Sequence, residues 1–586
     1  MLHALKTYGE TLGGEPGFKV REVRWCIDIT DDGRFLGILP LGDGRKGQML
    51  DRCPDMHSMN AGGKSHFLVE FAQFVSLLLK GDEDEQKVES IKARHSYYLR
   101  LVREAGSIIP ALAAIAEAIR DEARTQEIAA ALGEQKAKPA DWLTWRVGST
   151  DPRTATDVQQ WWRDWRANDL RAVAGKQTGS GEMICLLSGV PTIPIATHPK
   201  ITGLAGVGGI AMGDVFVGHD KTAFTSFGLE QAANAAMSAE AAQQYIDGLN
   251  DLVKNHSRKI ANALVVHWFK ERVPDAEDPF SYLYGIETDE QAATSAQAEA
   301  RRLLNSIRSG QRADLGDNRY YAITLSGAAG RVMVRDWMEG DFKILVENVV
   351  SWFDDVSIVA EDGESLSTDP KFYQVCLGLV RNDRTKSISE NLKQLAAPTS
   401  ALLWRVAAFN AAFPSALMAQ ALAQFRSGLL KDEPFNHARL GLIKAYFIRK
   451  PGGRSPMQPT LYPDHPEPAY QCGRMLAVLA GLQRAALGDV GAGVVQRYYP
   501  AFSQMPGLVL GRLVANARNH LGKLEGGLAW WYEERIAEIM TRIGERAPRT
   551  LGLEGQGLFA LGYYQQLAAL RVRKDDGTNN KSTQGE

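Results

Sequence analysis

A proline-rich segment late in the chain limits the folds that the sequence can adopt. Residues 449–468, RKPGGRSPMQPTLYPDHPEP, contain six prolines and two glycines. Proline lacks a backbone N–H and clashes with the preceding helical turn, so no helix can cross this segment. We therefore predict that one helical unit ends near Ile448 and that a second one begins near Ala469.

Hydrophobic periodicity separates a mixed part of the chain from a helical part. Residues 20–41 alternate apolar and polar side chains around an Asp-Asp-Gly turn, which predicts a β-hairpin. Between 181 and 270, the strand-like segments EMICLLSG, DVFVG and ALVVHWF surround a helix predicted for 229–254. A strand-then-helix unit follows at RYYAITLSGAAGRVMVRDW. From about 340 to about 570, alanine- and leucine-rich helical periods dominate.

The predicted fold class is α+β, with a mixed α/β N-terminal portion that contains small antiparallel sheets and an all-α C-terminal helical bundle. Composition shifts and the proline-rich segment divide the chain further. The predicted segments are an N-terminal α/β region with the hairpin and a glycine loop at 1–180, a second β-rich α+β region at 181–340, a helical region at 341–456, a separable helical bundle at 457–573 and a disordered polar tail at 574–586.

Composition points to an ordinary globular protein. The chain has 586 residues, of which 45% are hydrophobic and 23% charged. No segment reaches the apolar length of a membrane span, and the N-terminus has no cationic start followed by an apolar core, so we expect a cytoplasmic protein. The formal net charge is −2. Any binding of nucleic acid must therefore come from local patches or from partner subunits.

Motifs of catalysis and metal binding are missing from the sequence. There is no HExxH, no zinc-finger spacing and no G-x-S-x-G elbow, so neither a catalytic metal nor an active site is predicted. His198 and His219 could meet across a loop, but no third ligand is in view. The five cysteines are odd in number and far apart, which predicts buried thiols without disulfides or zinc: Cys26, Cys53, Cys185, Cys376 and Cys472.

The glycine loop NAGGKSHF, residues 60–67, ends like a P-loop in Gly-Lys-Ser. A P-loop needs a further glycine where this chain has Ser58, and it grows from a buried strand that the preceding residues do not resemble. Gly62, Gly63 and Lys64 nevertheless suit a phosphate or base edge brought close to the backbone. The apolar spacing of SHFLVEFAQFVSLLL predicts a buried helix directly after the loop, with Ser65 as its N-cap.

A second glycine-rich stretch, GVGGIA at 206–211, matches the residue pattern of a dinucleotide-binding fingerprint but lacks its structural context. The residues that follow it, MGDVFVGHD, read as a strand and not as the helix whose N-terminus must hold a pyrophosphate. An alternative function remains, that of a metabolic α/β enzyme that binds a nucleotide at the glycine-rich loops near 62 and 206.

Basic residues occur in clusters that favour contact with a nucleic-acid backbone. The clusters are KARHSYYLRLVR at 92–103, RRLLNSIRSGQR at 301–312 and two later helices that carry Arg439, Lys444, Arg449, Arg512, Arg518, His520 and Lys523. Each cluster taken singly is also explained by a solvated helix face. Trp161, Trp162 and Trp165 at helical spacing favour a core role over a base-stacking platform.

Several long segments carry a resemblance to a known family. They are ICLLSGVPTIPIATHPKITGLAGVGGIAMGDVFVGHDKTAFTSFGLEQAANAAMSAEAAQQYIDGLNDLV, RYYAITLSGAAGRVMVRDW, ARLGLIKAYFIRK and AYQCGRMLAVLAGLQRAALGDVGAGVVQRYYPAFSQMPGLVLGRLVANARNHLGKL. With the opening MLHALKTYGETLG and the hairpin VRWCIDITDDGRFLGILPL, the chain resembles the large subunit of the type I-C CRISPR Cascade surveillance complex. The likeness runs over nearly the whole chain, with the segments in the right order.

The resemblance implies a non-catalytic subunit without a cofactor. Such a subunit holds the 5′ region of the guide RNA, reads the short protospacer-adjacent motif (PAM) in double-stranded target DNA, helps to open the strands and presents the R-loop to a helicase-nuclease. Its further partners would be the Cascade backbone and handle-binding subunits. The implied nucleic-acid-binding residues are Asn60, Gly62, Gly63, Lys64 and His66 in the glycine loop and Arg512, Arg518 and Lys523 on a late helix.

Two further expectations follow from the resemblance. The family usually has Ser-Phe-Asn where this chain has Gly218, His219 and Asp220, so the contact and the PAM preference associated with that turn are expected to differ. The family also makes its small subunit from an internal translation start in the same gene. Met457 lies in the proline-rich segment before the last bundle, whereas Met475 lies inside a predicted helix, so we predict a second product from Met457 to Glu586.

Overall fold

The structure is a computed structural model that describes most of the chain. The described residues are 1–43, 46–56, 63–81, 83–177, 181–225, 227–284, 296–452, 457–489, 493–545 and 547–572. They form two compact units. Unit 1 comprises Met1–Ala205, Gly209–Asn255 and Gly327–Val332, and unit 2 comprises the described residues of Gly206–Gly208, His256–Ser326 and Met333–Glu586.

Unit 1 contains short strands interleaved with helices. In chain order these elements are α1 (Leu2–Thr11), β1 (Phe18–Val23), β2 (Trp25–Ile29), β3 (Phe35–Pro40), β4 (Gln48–Pro54), β5 (Glu70–Phe71), α2 (Ala72–Val75), α3 (Glu85–Gly106), α4 (Pro110–Ala118), α5 (Glu122–Glu134), β6 (Trp142–Val147), α6 (Thr156–Gln177), β7 (Met183–Ile184), β8 (Pro191–Thr192) and α7 (Ala239–Asn255).

The main sheet of unit 1 has the strand order β3-β2-β6-β5. Strands β2 and β3 pair antiparallel, with Trp25 opposite Pro40, so the predicted hairpin is confirmed. Strand β6 pairs parallel to β2, with Ile27 opposite Trp145. Apolar side chains of the sheet pack in one hydrophobic cluster with those of α3, α4 and α6. This layer carries the residues around the glycine loop.

Helices α1 and α7 approach each other unusually closely. A Cβ added to Gly9 would lie 1.9 Å from the Gln244 carbonyl oxygen, and one added to Gly248 would lie 2.6 Å from the Leu5 carbonyl oxygen. Side chains at these two positions would force the helices apart. The two glycines therefore set the spacing of this helix pair.

Two local predictions for unit 1 are wrong. The helix expected directly after Ser65 is replaced by the two-residue strand β5 and the single turn α2. Strand β5 pairs with β6, and Leu68 has a left-handed φ of 59°, so tertiary pairing prevails over the helical spacing. The strand expected at DVFVG is also missing from the described residues, where Val215 makes only an isolated bridge to Arg331.

Unit 2 begins with strands and continues with helices. In chain order these elements are β9 (Ser257–Ile260), β10 (Ala263–Phe269), α8 (Pro279–Tyr284), α9 (Ala296–Arg308), α10 (Ala313–Gly316), β11 (Arg319–Ala328), β12 (Arg331–Asp341), α11 (Phe342–Val356), α12 (Phe372–Gly378), α13 (Ile388–Leu392), α14 (Ala397–Phe409), α15 (Ser415–Leu430), α16 (His437–Arg449), α17 (Pro468–Leu487), α18 (Val494–Phe502), α19 (Pro506–Leu521), α20 (Gly527–Ile543) and α21 (Leu553–Ala569). Gly327–Val332, between and within β11 and β12, belong to unit 1.

The helices of unit 2 surround α17 and α21. Gly473 and Gly562 allow these two helices to touch, since an added Cβ would lie 2.0 Å from the Phe559 oxygen or 2.1 Å from the Tyr470 oxygen. Helix α16 ends at Arg449 and α17 begins at Pro468, so the boundaries predicted from the proline-rich segment are confirmed. The helices before and after this segment share one hydrophobic cluster.

The observed architecture agrees with the predicted fold class, α+β with small antiparallel sheets and a helical C-terminal part. All five cysteines are buried and free, as predicted. Within the described ranges, no helix is both long and apolar enough to span a bilayer. The predicted tail 574–586 lies outside the described residues, and the segment boundaries stay predictions.

Candidate nucleic-acid interface

The end of the glycine loop lies against α3. Asn60 and Gly62 fall outside the described residues, whereas Gly63, Lys64 and His66 are described. Gly63 has a φ of 85°, which favours glycine, and a Cβ added there would lie 3.7 Å from the Ala93 side chain. The left-handed turn at Gly63 thus packs against the helix that carries the basic cluster 92–103.

Lys64 forms an ion pair with Asp169 on α6. Its Nζ lies 3.0 Å from the Asp169 Oδ2, and the two side chains are only 16% and 20% exposed. Burial, and then the Asp169 carboxylate, raise the pKa of Tyr97 of α3 to about 12. The exposed Arg100 covers this ring, with its guanidinium carbon 4.6 Å from the centroid. The cation of the loop is therefore held by a carboxylate.

His66 is a buried part of the loop's support. Its side chain is 9% exposed, and its Nδ1 accepts a hydrogen bond of 2.9 Å from the Met56 N–H. Burial lowers the pKa of His66 to about 3, although the neighbouring Asp55 carboxylate opposes this shift. The imidazole is consequently neutral near pH 7 and orients the backbone. Its role in nucleic-acid binding stays a prediction.

Glu70 clamps the backbone that follows the loop. Its carboxylate accepts hydrogen bonds of 2.5 Å from the His66 N–H and 2.8 Å from the Phe71 N–H. Burial raises the pKa of Glu70 to about 7, and the two backbone donors only partly offset this effect. The clamp holds both ends of the short segment from His66 to Phe71.

Cations converge on Asp55, immediately before the loop. Arg21 pairs with this buried carboxylate, and Lys19 lies 3.1 Å from it. Burial alone would raise the pKa of Asp55, but the Lys19 and Arg21 cations oppose burial, and the pKa is lowered. Arg166 of α6 also faces this carboxylate at longer range, and its buried Nε finds no partner among the described residues. Lys19 and Arg21 thus neutralise the buried carboxylate at the base of the loop.

The tryptophans of α6 belong to the core that supports the loop. Phe67 stacks on Trp162 at 5.5 Å and contacts Trp161 at 5.0 Å. Trp162 is fully buried and donates a hydrogen bond of 2.7 Å from Nε1 to the Gly17 oxygen. The predicted core role is confirmed for Trp162, while Trp161 and Trp165 are half-buried.

Helix α19 of unit 2 presents the second set of predicted residues. Arg512, Arg518 and Lys523 are exposed on and just after this helix. Among the described residues none of these three cations makes an ion pair. Asn516 and Asn519 are exposed on the same helix. This surface offers positive charge and amide groups to a polyanion.

The basic residues of α16 have a different role from the one expected. Arg439, Lys444 and Arg449 are buried. Arg439 Nε donates to the Gly378 oxygen at 2.8 Å, and Lys444 Nζ donates to the Asp354 oxygen at 3.1 Å. Arg449 Nε lies 2.6 Å from the Asp355 carboxylate. These cations are therefore not available to nucleic acid and do not form a solvated helix face. They link the helices of unit 2.

The arginines of 301–312 are exposed or half-buried, and each pairs with an acid. Their partners are Asp354 for Arg301, Glu299 for Arg302, Glu347 for Arg308, and Glu277 and Asp314 for Arg312. These pairs reduce the charge available to a polyanion, so sequence clustering alone overestimated this surface.

In the second glycine-rich stretch, a backbone donor is already occupied by a nearby carboxylate. The buried Asp214 carboxylate accepts hydrogen bonds of 3.2 Å from the Ile210 N–H, which a pyrophosphate would otherwise need. His198 shares a hydrogen bond of 2.6 Å with the Tyr245 hydroxyl. In the part of the chain that the structure describes, no three His, Cys, Asp or Glu side chains are arranged to hold a metal ion.

These features define a helix-rich α+β protein with cationic surfaces around a glycine loop and on a late helix. The family model of the CRISPR-associated protein (Cas_Csd1) matches residues 4–571, and the chain belongs to this family. Among curated proteins, no match to the chain was found.

Proposed function

We propose that this protein is the non-catalytic large subunit of a type I-C CRISPR interference complex and that it acts in the cytoplasm. In this proposal it recognises the PAM in duplex DNA, aids strand opening, stabilises the R-loop and presents the target to a separate helicase-nuclease. Membership of the Cas_Csd1 family supports the CRISPR context. The finer roles rest on the resemblance and on the two cationic surfaces.

The observation that carries PAM recognition is the position of Lys64. It follows a left-handed Gly63, pairs with Asp169 and precedes a backbone segment that Glu70 clamps. Such a loop brings backbone N–H groups and one cation close to a DNA backbone. Asn60 and the glycine backbone would probe base edges, and Lys64 would neutralise a phosphate.

Lys64 must exchange Asp169 for a phosphate in this proposal. The ion pair at 3.0 Å occupies the ammonium group in the free chain. Lys64 therefore contributes to phosphate binding only the difference in free energy between its pair with the phosphate and its pair with Asp169. Asp169 would in this way weaken binding to arbitrary DNA, while base contacts by the loop would favour the PAM.

The remaining partners follow from the resemblance. They are the 5′ region of the guide RNA, the Cascade backbone and handle-binding subunits, and a small subunit from the internal start at Met457. The exposed Arg512, Arg518 and Lys523 would follow the backbone of a displaced single strand.

The proposal is tested by binding of the assembled complex to a PAM-containing duplex. Lys64→Ala should weaken binding and lower the slope of log K against log salt by about 0.9, the value for one phosphate contact. Lys254→Ala, which removes an exposed lysine of α7, serves as the matched control. Unchanged affinity and salt slope for Lys64→Ala would remove the loop from the interface.

The alternative function, that of a nucleotide-binding metabolic enzyme, is tested separately by a thermal-shift assay of the isolated chain. A nucleotide at 100 times its Kd would stabilise the protein by about 2.7 kcal/mol. Because Asp214 already occupies the Ile210 N–H, we expect no shift with ATP or NAD.

A further inference from the structure

The loop that precedes α7 in unit 1 exposes two phenylalanines. Phe227 is 100% exposed and Phe224 is 39% exposed. An isolated water-facing aromatic ring contributes nothing to the core, and its apolar surface is the kind that marks interaction sites. Phe227 also has a left-handed φ of 50°, which is uncommon for a bulky residue. The exposed ring therefore lies at a position with an unfavourable backbone conformation.

Phe224 is held in place by polar neighbours. The His219 ring meets it edge-on at 5.8 Å, and the Arg331 guanidinium lies 5.9 Å from its centroid. Arg331 is fixed in turn by an ion pair of 2.9 Å with Asp220. One ring is thus oriented by its contacts, whereas the second ring, three residues later, is fully accessible.

The backbone before these rings is anchored at Val215. Val215 N donates to the Gly330 oxygen at 2.8 Å, and Val332 N donates to the Val215 oxygen at 2.9 Å. A short helical turn over Thr222–Phe224 follows Lys221, with the Phe224 N–H donating to the Lys221 oxygen at 2.8 Å. Lys221 is exposed and makes no ion pair with described residues.

The chemistry of the loop favours one class of ligand. Exposed aromatic rings on a loop that also carries an exposed lysine match the stacking platforms that hold unpaired nucleobases, where a cation neutralises the phosphate. Apart from Ala223 and Phe224, the residues from His219 to Thr225 are polar or charged, and they include the exposed Lys221. A base pair inside a duplex has no free face to offer, so the ligand must be single-stranded.

We propose that Phe227 and Phe224 form a stacking site for an unpaired nucleobase of single-stranded nucleic acid and that Lys221 neutralises the adjacent phosphate. This site is separate from the glycine loop and does not depend on PAM reading by Lys64. A failure of either proposal is therefore visible without the other.

The test uses the full chain and a short single-stranded DNA that carries the fluorescent base 2-aminopurine. Stacking on a ring should quench this base. Phe227→Ala should weaken binding about fivefold or more and abolish the quenching, while Phe227→Trp should retain both. Lys221→Ala should lower the salt slope by about 0.7, the value for one single-strand phosphate.

A matched control lies in unit 2. Phe409 is 37% exposed, and the Arg405 guanidinium covers it at 5.1 Å while Asp336 pairs with that arginine. Phe409→Ala should leave affinity and quenching unchanged. The proposal is overturned if Phe227→Ala binds and quenches like wild type, or if it loses affinity while the quenching persists. Equal losses in Phe227→Ala and Phe409→Ala would also overturn it.

Discussion

Glu70 and His66 are adjoining buried groups whose pKa values move in opposite directions. Burial raises the pKa of Glu70 from 4.5 to about 7 in the folded state, so its contribution to stability falls as pH rises through this window. His66 stays neutral down to about pH 3, against 6.5, so its contribution rises with pH up to 6.5. The two slopes oppose each other between pH 4.5 and 6.5.

Glu70→Gln removes the pH dependence of stability that is due to Glu70. Between pH 5 and pH 8, the free energy of unfolding of the variant should gain about 2 kcal/mol relative to wild type, because the folded wild type must ionise a buried carboxyl. Urea unfolding at the two pH values, followed by tryptophan fluorescence, measures this change. Glu127→Gln on the exposed face of α5 is the control, and parallel curves for Glu70→Gln and wild type would contradict the clamp.

Asp169→Asn should release Lys64 for a phosphate. We expect affinity of the assembled complex for duplex DNA to rise about fivefold, which corresponds to about 1 kcal/mol for a partly buried pair. In a Lys64→Ala background the same change should have no effect. Equal gains in both backgrounds would show that Asp169 acts through general charge and not through Lys64.

Local sequence identified Lys64 but not its partner. Gly-Lys-Ser and the glycines before it are visible as a motif, whereas Asp169 is 105 positions away and carries no signal of its own. The burial of His66 was equally invisible, since it depends on Trp142, Arg21 and Asp55 from three other segments. Contacts of high sequence separation are what local patterns omit.

At the scale of elements, α16 and α19 read alike in sequence and differ in the fold. Both mix apolar residues with spaced cations, but those of α16 are buried and those of α19 are exposed. Periodicity gives the existence of a helix and leaves open which cations receive buried partners. The same limit explains the missing helix after Ser65, where pairing of β5 with β6 replaced an amphipathic pattern.

Stability measurements should separate the two helices. Arg449→Ala leaves Asp355 buried without its partner and should lower the free energy of unfolding by about 3 kcal/mol. Arg512→Ala removes an exposed cation and should change it by less than about 0.5 kcal/mol. Similar losses in both variants, measured by urea denaturation, would show that the assignment of buried and exposed cations is wrong.

At the scale of the whole molecule, the proline-rich segment and the switch from strands to helices were enough to predict the fold class. The sequence did not reveal that helices on both sides of that segment share one core. Phe435 of the earlier part contacts Tyr564 at 5.0 Å, and Phe425 contacts Tyr499 at 6.1 Å. A bundle released from residue 457 onward would expose these aromatic faces and would need a partner to cover them.

The internal start is tested by mass spectrometry of the purified complex. We expect a second product that begins at Met457 and remains bound to the complex, because its exposed apolar face requires cover. Met457→Leu should remove this product and leave the full-length chain in place. Met475→Leu, inside α17, should not affect it, and an unchanged product in Met457→Leu would place the start elsewhere.

The most direct measurement of the central claim is selection from a library of duplexes in which the positions beside the guide-complementary segment are randomised. The assembled wild-type complex should enrich one short motif. Asn60→Ala should flatten this preference by about 1–3 kcal/mol at the positions it reads, whereas Lys64→Ala should weaken all duplexes alike. The same motif with the same relative occupancy in all three proteins would contradict PAM reading by the glycine loop.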